Sequence, residues 1–306
     1  MNKIKLLNNE QKGYLLVFVS ILAMANVYIF SKAALNEINI IQFGVYWFGF
    51  ALIYNLIFLS QTGGYKSFKS INKSNYWKLA LIGVLEIAAT LSFFMSIKTM
   101  NNPALVSFLG NAGPVFVSIL GITFLKERFN KIEIIGIIIT ILGAIIISYN
   151  PGFEIPKDFR KALYFILFSN IIYATATIFS KKNIKLLPPS ILSVNRVVFI
   201  LTTAVIAAIV TNQSLVIPKT ALLNLALGSI LGPFLAALAG YTALKYIEAS
   251  KASVIGSAKS LLVLFTSYIY FGHFPFIYQI YGGIATIAGV LLISLGKRIN
   301  TSLNKK

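Results

Sequence analysis

Ile29-Phe30-Ser31-Lys32 and Ile178-Phe179-Ser180-Lys181 are the same four residues in the same order, 149 positions apart. Each copy lies near the end of an apolar run, 13–32 in the first case and 160–181 in the second, and each of those runs opens a set of five. If every run crosses a bilayer, an odd number of crossings per copy turns the second copy upside down relative to the first. Internal repetition of this kind puts a site at the interface between the copies, near the bilayer midplane.

Composition agrees with a membrane chain. Hydrophobic residues are 57% of the 306 and charged residues only 11%, against about 25% charged in soluble domains, and mean hydropathy is +0.81. Ten runs approach the roughly 20 apolar residues that a spanning helix needs: 13–32, 39–59, 77–98, 103–124, 131–149, 160–181, 189–211, 221–244, 251–271 and 275–296. The expected fold is therefore an all-α membrane protein of ten transmembrane helices in two inverted five-helix repeats, 1–150 and 151–306. The segment YNPGFEIPKDFR (149–160), with Pro151, Gly152 and Pro156, divides them. The first run is too long, and too much part of the repeat, to read as a cleaved leader.

The net charge of +19 could signal nucleic acid, but its placement argues for topology. With the amino terminus in the cytoplasm, 19 of the 27 Lys and Arg fall in cytoplasmic stretches and 6 on the other side. Both termini are thus expected in the cytoplasm of an inner-membrane protein, the charge facing anionic lipid rather than nucleic acid. Cysteine is absent and His273 is the single histidine, which removes thiolate chemistry and a His cluster. No phosphate-loop sequence is present. No metal, cofactor or catalytic residue is expected, and the chain does not read as an enzyme.

The repeat extends beyond IFSK. Phe50 falls on Phe199 at an offset of 149. At 146, Gly110 and Ala112 fall on Gly256 and Ala258, and Gly136, Gly143 and Ser148 fall on Gly282, Gly289 and Ser294. Gly228 and Gly232 form a G-x-x-x-G in the eighth run, and Gly282, Gly289 and Gly296 recur every seven residues in the tenth. Close helix packing accounts for both, and a dimer contact through the tenth run is the alternative, so a monomer or a homodimer is expected.

Further residues carry a family likeness. FLKERF (124–129) joins the fourth run to a fifth containing Gly136 and Gly143. Pro114 interrupts the fourth run, Arg196 stands in the seventh, and ALKYIEASKAS (243–253) joins the eighth to the ninth. Over nearly its whole length the chain resembles the EamA-type carriers of the drug/metabolite transporter superfamily. Two positions depart from that pattern. Trp47 occupies the first-half place of the arginine, and His273 occupies the second-half place of Glu127. The resemblance implies movement of a small organic metabolite by alternating access, export being the expected direction. It also implies a cavity lined mainly by the first, third, fourth, sixth, eighth and ninth runs.

Charges inside a bilayer are costly and tend to be paired or functional. Glu86 lies roughly 13 Å into the third run and Lys259 roughly 12 Å into the ninth, both measured from the cytoplasmic side at about 1.5 Å per residue. Either the two pair structurally, or Lys259 holds an anionic group of the substrate while Glu86 meets an amine or carries a proton, or one of them is neutral. Asn170, Tyr173 and Thr177 share one face of the sixth run and need polar partners there, either across helices or as the lining of the substrate cavity, where Asn170 and Tyr173 would bind substrate. Asn111, three residues before the helix-breaking Pro114, sits beside a loosened backbone where it either binds substrate or marks a bend or hinge, and Asn26 is a similar substrate-binding candidate nearer the outer side. Glu86, Thr90 and Phe93 share a face of the third run, where an aromatic could wall a cation site or simply pack. Arg196 either snorkels to the interface or serves as a gate pair.

These residues together predict a carrier for a small polar metabolite, an amino acid or related organic anion. The alternatives are an importer of a cationic or quaternary amine built on Glu86, a membrane assembly protein with no transport, and a channel. The absence of a repeated polar ring weighs against the channel, and the dearth of clustered Asp and His against an enzyme.

Overall fold

The computed structural model describes residues 8–62, 64, 71–100, 103–148, 157–272 and most of 277–293. Every regular element among them is helical. In chain order they are α1 (Asn9–Glu37), α2 (Ile40–Thr62), α3 (Tyr76–Thr99), α4 (Pro103–Leu109), α5 (Gly113–Leu125) and α6 (Lys131–Ser148). They continue as α7 (Lys157–Lys182), α8 (Pro189–Val210), α9 (Lys219–Ser229), α10 (Ala237–Ala243), α11 (Ala249–Gly256) and α12 (Lys259–Phe271). Helical residues recur between 277 and 293. Among the described residues, seven helical stretches are long and apolar enough to cross a membrane, and Gly110–Leu125 is a shorter apolar one. The apolar surface points outward as lipid contact requires, with Val210, Ile209 and Leu223 mostly exposed.

Among the described residues three of the apolar runs are broken, two of them at a proline. A tight 3₁₀ turn at Gly110–Ala112 separates α4 from α5, because Pro114 has no N–H to continue the ladder. A π-helical turn at Ile230–Ala236 containing Pro233 separates α9 from α10. A turn at 257–258 separates α11 from α12. The first and third breaks match in the repeat, since Gly113 opens α5 and Lys259, 146 residues later, opens α12. Irregular backbone at membrane depth is tolerated only where protein or a cavity satisfies it.

Contacts define two faces. At the amino face, Gly13 of α1 lies so close to the turn after α10 that a Cβ there would sit 3.1 Å from the Tyr246 Cβ. Lys181, at the end of α7, bonds that same turn. At the opposite face, the Gln42 amide donates to Ser214 O (2.8 Å) and the Tyr46 hydroxyl to Leu215 O (2.7 Å). Helices α1 and α7, the first of each half, therefore run in opposite directions.

An aromatic cluster fills the core toward the opposite face. Phe43 stacks on Trp47 with centroids 4.8 Å apart and tilts against Phe94 at 4.6 Å, all three nearly inaccessible. Two aliphatic clusters, around Leu187 and Ile191 and around Ile247 and Val254, fill the amino-face half. Glycines allow the remaining close approach. A Cβ on Gly136 would lie 2.8 Å from Gly289 O, so that face of the tenth run is covered by α6 of the same chain. Gly228 and Gly232 leave room for the Trp47 ring and Val27. His273 and Gly296 lie outside the described residues.

Candidate functional site

A cavity of about 230 Å³ lies among the broken helices. Its wall takes residues from α1 (Tyr28), α2 (Trp47), α3 (Thr90, Phe93), α5 (Pro114), α7 (Asn170, Tyr173, Thr177), α8 (Arg196), the π-helical turn, α10, α11 and α12 (Lys259). Among the described residues none of α6 contributes to it. Trp47 and Arg196, 149 residues apart and so equivalent in the two halves, both reach it.

Lys259 reaches the cavity because it is the first residue of α12, directly after the break. Among the described residues no carboxylate pairs with it. Glu86 is buried behind the wall rather than in it, and its Oε2 lies 3.0 Å from Arg196 Nε, an ion pair without hydrogen-bond alignment. The Tyr241 hydroxyl donates to Glu86 Oε1 at 2.6 Å, and Arg196 Nη2 donates to the Thr90 hydroxyl at 3.2 Å. The partner of Glu86 is thus Arg196 and not Lys259. Arg196 also turns inward to this cluster instead of snorkelling to an interface. The Arg196 guanidinium is offset by Glu86, whereas no described carboxylate offsets the Lys259 ammonium.

The amides behave differently from one another. Asn170 lines the cavity and donates to Leu109 O at 3.2 Å, satisfying a carbonyl at the α4–α5 break. Asn111 is buried within that break, behind the wall. Its Oδ1 accepts from the Ser260 hydroxyl at 2.9 Å, and Ser260 in turn lies 3.1 Å from the Ser107 hydroxyl, so the two matching breaks are tied together. Asn26 is turned away from the cavity and donates to Leu22 O of its own helix at 3.0 Å, the self-satisfaction expected of an amide with no polar neighbour. Tyr173 and Thr90 are on the wall, as is Phe93, whose ring meets Tyr28 edge-on at 5.2 Å.

Several residues to which the sequence assigned no contact gather at the amino face. Lys251, which reads as a loop charge, is fully buried and bonds Glu133 Oε1 at 2.6 Å, with Glu248 3.5 Å away. Glu133 Oε2 accepts from Asn130 N while Asn130 Oδ1 accepts from Glu133 N, both at 2.9 Å, a capping box for α6. Glu127 accepts from Ala249 N (2.8 Å) and Ser250 N (3.1 Å) and from the Ser250 hydroxyl. A carboxylate there satisfies donors that α11 leaves open and complements its dipole. The acidic residue of FLKERF therefore has a concrete task, holding the start of α11 against the end of α5.

Comparison with known proteins agrees with this architecture. The model of the EamA-like transporter family matches twice, over residues 11–149 and 160–295. A protein of Clostridium kluyveri named an uncharacterized transporter is 25% identical over 237 residues, which are 74% of this chain and 73% of that protein. A protein of known crystal structure superposes with a TM-score of 0.75 over 94% of this chain and 98% of its own, at 13% identity, a likeness of fold alone. With the family's model covering both halves, the chain belongs to the EamA-like transporter family.

Proposed function

We propose that this membrane transporter is an alternating-access carrier of the cytoplasmic membrane that exports a small metabolite bearing a carboxylate, an amino acid or related organic anion. It would have ten crossings and both termini in the cytoplasm. One observation carries the substrate class: the Lys259 ammonium is on the cavity wall with no described carboxylate to neutralise it. A buried charge without a partner is unfavourable, and a substrate anion supplies the partner. Asn170, Tyr173 and Thr177 offer hydrogen-bonding groups on the same cavity wall, and Tyr28 and Phe93 offer apolar surface.

The same geometry weighs against a cation importer. That function needs a carboxylate facing the cavity, and Glu86 is off the cavity wall, ion-paired with Arg196 and bonded by the Tyr241 hydroxyl. The two faces are held by different sets of contacts, which alternating access about a central cavity would break in turn. The aromatic cluster packs toward one face, and the Glu127, Lys251 and Lys181 contacts tie the other.

Counterflow in proteoliposomes tests the proposal. Charge-assisted bonds contribute about 1.5–3 kcal/mol, so Lys259→Met should lower substrate affinity by roughly tenfold to a hundredfold with folded yield unchanged. Unaltered counterflow in that variant would remove Lys259 from the site.

A further inference from the structure

The IFSK repeat has no role in the cavity, yet its two lysines make matching contacts. Lys181 Nζ donates to Leu244 O at 2.6 Å and Ile247 O at 2.7 Å, where α10 ends at the amino face. Lys32 Nζ donates to Lys98 O at 3.4 Å, where α3 ends at the opposite face. Both α3 and the α9–α10 crossing are the third apolar run of their half, and Lys98 and Leu244 are 146 residues apart, the offset of the repeat. The last carbonyls of a helix are open acceptors at the negative end of its dipole, and an ammonium brings three donors. The contact is therefore the same device used twice, two short bonds in one half and one long bond in the other.

We propose that Lys32 and Lys181 are a reciprocal pair of latches, each closing one face of the carrier by capping the third crossing of its own half. In inverted repeats the two halves exchange conformations when access alternates around the site. The inequality of the two caps then marks which face is shut. With Lys181 engaged twice, the amino face is latched and its neighbours Glu127 and Lys251 are in place. In the other state Lys32 tightens onto the end of α3 while Lys181 releases the turn after α10. Leu244, which Lys181 grips, is itself on the cavity wall, so release opens the cavity at that end. The inference rests on the alternating-access reading but not on the identity of the substrate.

The chain contains no cysteine, so one can be placed cleanly. Ser253 is on the cavity wall in α11, between the break and the amino face. Ser253→Cys would be labelled with a membrane-impermeant maleimide in vesicles that expose the amino face, without substrate. Adding Lys181→Met should raise the labelling rate about tenfold, the population shift expected for a lost charge-assisted cap. Adding Lys32→Met should lower it. Lys181→Arg, which keeps donors, should stay near the parent rate. Labelling that moves the same way in both Met variants, or in neither, would overturn the proposal. If Lys181→Met does not fold, Lys32→Met decides alone: a fall supports the latch and an unchanged or higher rate refutes it. Because the assay omits substrate, failure here leaves the Lys259 assignment standing, and loss of that assignment leaves the latch standing.

Discussion

Replacing Lys251 by Met should destabilise the transporter more than any other single charge removal at the amino face. Its side chain is 0% exposed and that of Glu133 only 2%. The Met variant fills most of the volume but leaves Glu133 ionised and buried, retaining only the Asn130 N–H. Breaking a buried pair from one side costs about 3–5 kcal/mol. The retained amide bond places this case near the lower end, at roughly 3 kcal/mol. Glu248, 29% exposed and 3.5 Å from Lys251, loses little because water replaces the ammonium. Adding Glu133→Gln should recover most of the loss, since Gln at that position keeps the capping box and removes the stranded charge. The assay is reversible unfolding in mixed micelles followed by circular dichroism, run as a double-mutant cycle over the two positions. A single Lys251→Met loss below about 1 kcal/mol, or a double variant no better than the single, would refute the claim that this pair is buried and mutually dependent.

Arg196→Leu should likewise lower the melting temperature by stranding Glu86, and Arg196→Leu with Glu86→Gln should restore it, whereas Lys259→Met, which strands no partner, should leave it unchanged. Glu127→Ala should cost about 1–2 kcal/mol by uncapping α11, read as earlier thermal unfolding and faster proteolysis of the turn before it. Gly136→Ala should cost about 1–3 kcal/mol because its Cβ meets the Gly289 backbone. Gly256→Ala, with nothing within 4 Å of the new carbon, should stay within about 0.5 kcal/mol in the same unfolding assay.

The helices and the repeat could be read from the chain because both are properties of local pattern: apolar length, proline position, and IFSK at a fixed offset. Position along a run can be counted in the same way, which is why Glu86 and Lys259 stand out as charges inside apolar runs. Rotation about the helix axis was not. Counting residues from the membrane face put Arg196 close enough to an interface to snorkel, yet the direction of its side chain is set by packing of α8 against α3, and it reaches Glu86 instead. Lys251 illustrates the same limit from the other side. It follows directly on a loop, and only the fold brings Glu133, 118 residues earlier, beside it. Asn111 was expected at a bend and lies in one, because Pro114 acts locally. That its side chain faces Ser260 rather than the cavity depends on how two breaks distant in sequence meet.

The central claim is that Lys259 receives an anionic group. Thermal stabilisation of the purified transporter by a panel of carboxylates and amines, in parent and Lys259→Met, tests it most directly, since a ligand bound to the folded state alone stabilises it by RT ln(1 + [L]/Kd). The expected result is an upward shift with amino acids or organic acids that disappears in the variant. A shift with amines, equal in parent and variant, would contradict it.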